Sequence, residues 1–293
     1  MEQISIHNNK IMNTISKKKG LMHYIRLSIL YILLIIGAAI FLIPFIWMLS
    51  ASLKESKDVF TYPLQWIPEH FVWENYKVIW EKVRLLQYFA NTAKITIIIT
   101  CIQIFTSSFA AYAFAKMEFK GRNTLFLLYV GTIAIPWQAY MIPQYILMGK
   151  LGLVNTHIGY ILLQSFSAFG VFLIRQFYIG IPNELLEAAR IDGLSEYGIY
   201  FKLMLPLSKP AIATLCISSF VFIWNDFMGP LIYFSSDSLK TLQIGLRFFI
   251  TENSADYNYI MAASVVSLIP VIILFVFLQK YFVQGIATSG LKA

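Results

Sequence analysis

A short polar segment in the second half of the chain has the most informative spacing of residues. Residues 181–193 read IPNELLEAARIDG. Asn183 is a good N-cap, and Glu184 and Glu187 are expected to place negative charge in the first turn, where the helix dipole favours it. Gly193 suits the left-handed position at which a helix ends. The pattern predicts a short helix with an acidic surface.

Such a surface is suited to binding another protein. Ala188 and Ala189 leave a smooth face that a partner can approach closely, and Asp192 adds a carboxylate beside it. Ser195 is expected to cap a second short helix, which Pro206 is expected to stop. The alternative is an amphipathic helix resting on lipid, for which acidic and small residues are poor anchors.

Motifs for catalysis or nucleotide binding are missing from the sequence. The spacing from Gly285 to Lys292 has the glycine gap of a phosphate-binding loop but lacks Gly-Lys-Ser/Thr, so we expect no cofactor on this chain. The histidines form no His-Glu-x-x-His pattern, and the segment around Ser195 fails the nucleophile-elbow pattern at its last position. The two cysteines, Cys101 and Cys216, fall inside apolar runs and predict neither a disulfide framework nor a metal site.

Polar residues inside apolar runs form a second group of candidates. Asp226, next to Asn225, is the one acid within such a run, so it is either functional or a partner for backbone groups freed where Gly229-Pro230 breaks the helix. Aromatic and amide side chains in another run could stack on and hydrogen-bond a sugar, although packing against lipid or helices explains them equally well. These candidate pathway residues are Trp137, Gln138, Tyr140 and Gln144.

The elements that must position these residues are membrane helices. Of the 293 residues, 58% are hydrophobic and 13% are charged, which is far more apolar than a soluble domain. Each of six runs is about long enough to cross the hydrocarbon core. We therefore predict an all-α integral membrane protein with six transmembrane helices, in which Pro136, Pro143 and Pro270 mark kinks. The predicted spans are Leu27–Leu49, Ile95–Ala115, Thr124–Met148, Val154–Ile174, Ala211–Tyr233 and Tyr259–Leu278.

Lysine and arginine residues predict the orientation. With the N-terminus inside, the cytoplasmic parts hold 14 of the 23 basic residues, so both termini are expected to be cytoplasmic. Residues 1–26 then form a cytoplasmic segment, and residues 27–293 form the transmembrane domain, with its core helices at 95–282. The connection 51–94 is external, and its aromatic residues indicate either an interfacial belt or a platform for an external partner. The connection 175–209 is cytoplasmic and contains the acidic segment.

At that segment the chain resembles the binding-protein-dependent permeases of ATP-binding-cassette (ABC) importers. Their signature is Glu-Ala-Ala, three residues and Gly, followed about nine residues later by Ile-x-Leu-Pro. Here it stands as Glu187 to Gly193 and closes with Leu203 to Pro206, with Leu203 in place of the usual Ile.

Further motifs are similar to the carbohydrate-uptake branch, the MalG-like permeases, over all but about the first 25 residues. They include Asn91-Thr92, residues 111–116 (AYAFAK), residues 224–227 (WNDF) with Pro230-Leu231, and residues 281–285 (YFVQG).

The resemblance implies a type I importer permease with the MetI-like fold, in a bacterial cytoplasmic (inner) membrane. It also implies a second, MalF-like permease subunit, two cytoplasmic ATPase subunits that bind ATP and Mg²⁺, and an extracellular or periplasmic solute-binding protein. The coupling to the ATPase would lie at Glu184, Glu187, Ala188, Ala189, Asp192 and Gly193.

Two other readings remain open at this point. One is a permease for a non-sugar solute, such as an amino acid, a peptide or a glycerol phosphate. The other is a membrane enzyme, which the absence of clustered acids, histidines or cysteines disfavours. The net charge of +8 could indicate a nucleic-acid partner in a soluble protein, but here the positive-inside distribution explains it, so lipid and not nucleic acid is expected around the chain.

Overall fold

The structure of the protein is a computed structural model. It describes the course of the chain for residues 2–250 and 256–290, and the surroundings of side chains for residues 23–250 and 256–281. The predicted motifs after residue 281 therefore lie outside the residues whose side chains the structure describes. Every regular element in the described ranges is a helix, as predicted.

The first helix, α1 (Glu2–Ala51), contains the predicted span Leu27–Leu49. Its apolar stretch His23–Ala51 is 29 residues long, and its large side chains are exposed along almost the whole length. An apolar surface of this size facing outward fits contact with lipid acyl chains. Among residues 23–51 of this helix, only the last two, Ser50 and Ala51, are buried in the protein core.

The predicted external connection is partly helical and is fastened to the core. It contains α2 (Asn75–Lys82), which begins at a fully enclosed asparagine. The Asn75 amide donates to the backbone oxygens of Ser52 and Lys54, at 2.9 and 2.8 Å, and accepts a hydrogen bond from Asn258 at 3.0 Å. Its aromatic residues divide: the Trp66 ring packs on α1, whereas Tyr62 is 96% exposed.

The central helix, α3 (Leu85–Lys116), starts ten residues before the predicted Ile95. Polar residues in these first turns depress the local hydropathy, which is why the run appeared to start later. They are nevertheless part of the fold: Thr92 accepts a hydrogen bond from the backbone of Leu242 at 2.8 Å, and Asn91 donates to the backbone of Ser238 at 2.8 Å.

The predicted third span is two helices with a sharp bend, not one continuous helix. They are α4 (Arg122–Gly131), extended by a 3₁₀ turn, and α5 (Trp137–Lys150), and the bend is 99°. Pro136 is responsible, because it lacks a backbone donor and keeps Ile135 out of the helical conformation. Pro143, also predicted to mark a kink, lies inside α5.

The fourth span is interrupted but runs in one direction. It consists of α6 (His157–Gln164) and α7 (Ala168–Ile179), which together form a 23-residue candidate span. The Ser167 hydroxyl caps α7 by accepting a hydrogen bond from the backbone of Gly170 at 3.0 Å. A Cβ atom on Gly170 would lie 2.5 Å from the Ser107 hydroxyl, so the glycine allows α7 to approach α3 closely.

The segment between the fourth and fifth spans is helical throughout most of its length. It contains α8 (Asn183–Ile191), α9 (Glu196–Ile199), a π-helix (Tyr200–Met204) and α10 (Leu205–Leu207). We call residues 181–207 the α8–α10 segment. The helical stretch Glu196–Leu207 ends one residue after Pro206, so the prediction that Pro206 stops it before the next membrane helix is confirmed to within one residue.

The fifth span begins with a change of direction at Ser208. Helix α11 (Lys209–Trp224) is bent by 76° from the preceding helical stretch, and α12 (Met228–Tyr233) follows after a break. The break predicted at Gly229-Pro230 is present but lies earlier, at residues 225–227, because the Pro230 ring clashes with a helical carbonyl four residues before it and is tolerated in the first turn of α12.

The last helices are α13 (Leu242–Arg247) and α14 (Tyr257–Gly290), which contains Pro270 and the predicted sixth span. In the described part of the chain, four helical stretches are long and apolar enough to cross a membrane alone, and taking each of the two bent pairs as one span gives the predicted six. Helix α3 lies at the centre, where it packs against α7 and α11. The buried core is therefore organised around α3, and the exposed sides of the outer helices remain apolar.

Candidate functional site

The geometry of the acidic segment is fixed first by the way α8 ends. The backbone of Gly193 donates to Arg190 and that of Leu194 donates to Ala189, both at 3.0 Å. This pair of bonds is the Schellman arrangement, and Gly193 has the left-handed φ of +81° that it requires. The predicted role of Gly193 in ending the helix is confirmed, as is that of Ser195, whose hydroxyl caps α9 by accepting from Gly198 at 3.2 Å.

The start of α8 differs from the prediction. Pro182 occupies the N-cap position, and Asn183 is already the first helical residue. The Asn183 side-chain oxygen instead accepts a hydrogen bond from the Lys116 ammonium at 2.7 Å. Glu184 lies in the first turn as predicted, but Glu187 is the fifth helical residue and lies in the second turn. The dipole argument therefore applies to Glu184 alone.

One face of α8 is available to a partner and the other is not. The exposed residues from the start of α8 to its end are Asn183, Glu184, Leu185, Glu187, Ala188, Arg190, Ile191, Asp192 and Gly193. Among them Ile191 is 87% exposed and Leu185 is 45% exposed, so the face combines carboxylates with uncovered apolar surface. The expectation for Ala189 is wrong: this residue and Leu186 are buried in the protein's own core.

Hydrogen bonds hold this segment against α3. The Glu196 carboxylate accepts from the Arg190 guanidinium at 2.9 Å through one oxygen and from the Tyr112 hydroxyl at 2.6 Å through the other. Neither Tyr112, which lies in the motif at residues 111–116, nor Glu196 was among the site residues predicted from the sequence. The sequence around Glu196 shows only that this residue follows the Ser195 cap of α9. That position gives no information about a hydrogen-bond partner 84 residues earlier in the chain.

The candidate pathway residues on α5 are only partly brought together. The Trp137 indole donates to the Gln144 side-chain oxygen at 2.9 Å, and the Tyr233 hydroxyl donates to the same oxygen at 3.3 Å. Gln138 and Tyr140 lie exposed on the helix. The Tyr233 ring also packs on Tyr145 with their centroids 5.7 Å apart. The result is a cluster of aromatic rings around one amide, with Tyr145 and Tyr233 added to the predicted set.

Asp226 is bound within the chain. One carboxylate oxygen accepts from the backbone of Gly229 at 3.1 Å, and the other accepts from the hydroxyl of Tyr160 on α6. These contacts satisfy a free donor at the start of α12 and join it to α6, which is the structural reading of the two that the sequence left open. Asn225 is exposed, and its amide donates to the backbone of Val221 at 2.9 Å.

Asn155 fastens the chain beyond α12, a role that its sequence context did not reveal. Its side-chain oxygen accepts from the backbone of Ser235 and Ser236, at 3.1 and 3.0 Å. Its own backbone has a left-handed φ of 58°, which asparagine tolerates better than most residues. Within the described residues, no three His, Cys, Asp or Glu side chains are grouped so that they could hold a metal ion.

Comparison with known proteins identifies relatives over nearly the whole chain. A family model, the binding-protein-dependent transport system inner membrane component, matches residues 103–288. The arabinooligosaccharides transport system permease protein AraQ of Halalkalibacterium halodurans is 38% identical over 258 residues, which are 87% of this chain and 92% of that protein.

Other relatives carry different solute names. The melibiose/raffinose/stachyose import permease protein MelC of Bacillus subtilis is 35% identical and covers 91% of this chain and 97% of its own length. The sn-glycerol-3-phosphate transport system permease protein UgpE of Yersinia pestis is 33% identical, with coverages of 88% and 95%.

A solved structure shares the fold. It is a crystal structure of a bacterial ABC transporter involved in the import of the acidic polysaccharide alginate, and its matching chain is 27% identical with a TM-score of 0.75. The match covers 86% of this chain and 94% of that chain. On these matches, the chain belongs to the family of binding-protein-dependent transport system inner membrane components and is a multi-pass membrane protein.

Proposed function

We propose that this chain is one permease subunit of an ABC importer that takes up a sugar or an oligosaccharide. It forms the pathway with a second, MalF-like permease subunit and receives the solute from an external solute-binding protein. The chain has no catalysis of its own, and ATP and Mg²⁺ are bound by two cytoplasmic ATPase subunits. The observation that carries the proposal is the exposed face of α8 in a chain of this family. This helix ends in the Schellman turn at Gly193, which defines its conformation.

The α8 face is suited to a cleft in a protein. Ile191 and Leu185 expose apolar surface, and burying it against a partner is favourable. Glu184 and Glu187 surround that surface with negative charge, which a basic rim on the ATPase would complement. The Schellman turn at Gly193 holds the end of the helix in one conformation, so little entropy is lost on docking.

In the proposed orientation, α8 and both termini are cytoplasmic. It rests on the excess of lysine and arginine in the segments assigned to that side. The connection between α1 and α3 then lies outside, where its exposed aromatic residues, such as Tyr62 and Trp73, are available to the binding protein or to the membrane interface.

A sugar is the favoured solute because relatives named for oligosaccharides match over most of their length. The aromatic and amide cluster of Trp137, Gln144 and Tyr233 has the chemistry to stack on sugar rings and to bond hydroxyl groups. The second candidate is a glycerol phosphate, which the similarity to UgpE supports.

Uptake measurements with the complete transporter test this function. The chain is reconstituted in liposomes with its partner permease, ATPase subunits and binding protein, and ATP-dependent uptake of labelled arabinooligosaccharides, raffinose and sn-glycerol 3-phosphate is compared. We expect saccharide uptake that stops without ATP or without the binding protein. Uptake of the glycerol phosphate alone would replace the first candidate by the second, and uptake without ATP would refute both.

The isolated chain provides the matching control. Because the sequence has no phosphate-binding loop, the purified subunit is expected neither to bind nor to hydrolyse ATP. Measurable hydrolysis by this subunit alone would contradict the division of roles proposed here.

A further inference from the structure

Three polar residues of α3 lie on one face of that helix. Ser108, Tyr112 and Lys116 are spaced four residues apart, so their side chains follow each other along one side. We call them the α3 stripe. The first two are almost completely buried, with exposed fractions of 0% and 3%. Buried polar groups at this spacing require partners, and all three have them on a single segment of the chain.

Apart from two backbone oxygens of α3 itself, which accept from Ser108, the hydrogen-bond partners of the α3 stripe belong to the α8–α10 segment. The Ser108 and Tyr200 hydroxyls are 2.7 Å apart, and the Tyr112 hydroxyl donates to Glu196 at 2.6 Å. The Lys116 ammonium donates to Asn183 at 2.7 Å and to the backbone of Ile181 at 2.6 Å. The contacts thus reach the start of α8, the start of α9 and the π-helix.

The contacts also include α8 itself through Glu196. Its second oxygen accepts from Arg190, which lies in the last turn of α8. The Tyr112–Glu196 bond is charge-assisted and its tyrosine is shielded from water, so water replaces it poorly and its loss leaves a buried hydroxyl without a partner. The α8–α10 segment is therefore attached to α3 at both ends of α8.

The α8–α10 segment is attached in a different way to α11, the next helix along the chain. Helix α11 follows the segment directly, but the chain turns by 76° at Ser208 between them. The π-helix that precedes this turn is an irregular stretch of the kind often found at functional positions. The segment is thus joined to α11 by the chain itself, through a bend, and by packing in a shared core, whereas it is joined to α3 by side-chain hydrogen bonds as well.

At its other end α3 holds the connection that follows α12. Asn91 donates to the backbone oxygens of Ser238 and Lys240, at 2.8 and 3.0 Å, and Thr92 accepts from the backbone of Leu242. A displacement of α3 along or about its axis would thus reach the chain on the far side of the membrane.

We propose that the α3 stripe is a positioning device: it fixes the α8–α10 segment to α3, so that a movement imposed on α8 moves α3 and the outer connection it holds. This inference rests on the proposed docking of an ATPase subunit at α8. Tyr112, Lys116 and Ser108 contact neither the ATPase nor the solute in this scheme, and they act through Glu196, Asn183 and Tyr200.

Removal of one hydroxyl tests the proposal. In Tyr112→Phe the ring remains in the core while the bond to Glu196 is lost. The matched control is Tyr129→Phe, because Tyr129 packs against the same core and its hydroxyl forms no hydrogen bond among the described residues. Both variants are reconstituted as complete transporters, and solute uptake per ATP hydrolysed is measured with saturating binding protein.

We expect Tyr112→Phe to lower uptake per ATP about tenfold, as the loss of one charge-assisted bond would allow, while Tyr129→Phe leaves it unchanged. ATPase subunits should copurify equally with both variants, because the exposed face of α8 is intact. A purely structural role of Tyr112 would lower the yield or the melting temperature without changing the ratio of uptake to hydrolysis.

Two outcomes distinguish a failure of this inference from a failure of the proposed function on which it rests. Equal uptake per ATP in Tyr112→Phe, Tyr129→Phe and the unaltered chain overturns the positioning role and leaves docking intact. Failure of ATPase subunits to copurify with the unaltered chain overturns docking and the inference together. If Tyr112→Phe does not accumulate in the membrane, Lys116→Met is measured in its place, with the same expected loss and the same refutation.

Discussion

The Schellman turn at the end of α8 allows a sharp test of the docking surface. Gly193 has φ = +81°, and a Cβ atom built there would meet no heavy atom within 4 Å. Replacing it with valine therefore adds no clash, and the whole cost arises from placing an L-residue in the left-handed region. Gly121 provides a matched control, since it has φ = +82°, equally open surroundings and a position outside the α8–α10 segment.

The magnitude follows from the backbone alone. An L-residue in this region costs about 1–2 kcal/mol, so the ratio of closed to frayed turns should fall by roughly 5- to 30-fold. Gly193→Asn should cost less, because asparagine tolerates the left-handed region. If the closed turn is the form that docks, the apparent affinity for the ATPase subunits falls with its population.

The assay is retention of the ATPase subunits during detergent extraction, combined with ATP-dependent uptake. We expect a severe loss of both in Gly193→Val, a smaller loss in Gly193→Asn, and retention close to normal in Gly121→Val. Full uptake and normal retention in Gly193→Val would refute the reasoning, and so would an equal loss in Gly121→Val, since that would trace the effect to general strain.

Three further predictions concern topology and stability. In a chain whose Cys101 and Cys216 are replaced by serine, an impermeant thiol reagent added to intact cells should label Ser56→Cys and not Ser195→Cys; the reverse result would invert the topology. Asp226→Leu should lower the free energy of unfolding by about 1–3 kcal/mol, because the Tyr160 hydroxyl and the Gly229 backbone donor lose their bonds to the carboxylate. Asp226→Asn keeps one acceptor oxygen and should lower it less. Thermal unfolding in detergent measures both changes. Asn75→Leu should expose the external connection to proteases, since it removes two hydrogen bonds to the backbone and one from Asn258; unchanged digestion would show that the connection is held by other contacts.

The sequence by itself determined the features that depend on local composition. Long apolar runs predicted six spans because crossing lipid requires an uninterrupted length of apolar side chains. Pro136 predicted a kink because its ring removes a backbone donor, although the 99° bend that divides the span was not predicted. Gly193 predicted a helix end because only its own backbone freedom is involved. The spacing of residues 187–193 indicated the family through a resemblance that the comparisons confirm.

The tertiary structure decided everything that depends on distant partners. Helix α3 begins ten residues before the predicted start of its span. Its first turns contain polar side chains such as Thr92, which is hydrogen-bonded to the backbone of Leu242. A hydropathy average over these turns registers their polarity but not their distant partners. Ala189 faces inward because α8 packs on the protein's own core, although the sequence offers Ala188 and Ala189 as equivalent.

The same reason explains the sites that the sequence missed. Tyr112 and Glu196 are 84 residues apart, and Tyr160 and Asp226 are 66 residues apart. The sequence around one member of each pair therefore gives no indication of the other member. A helix pattern specifies which residues share a face, but the fold specifies which faces meet. That is why the α8 surface could be predicted from a single segment, and why its attachment to α3 could be found only when the helices were packed together.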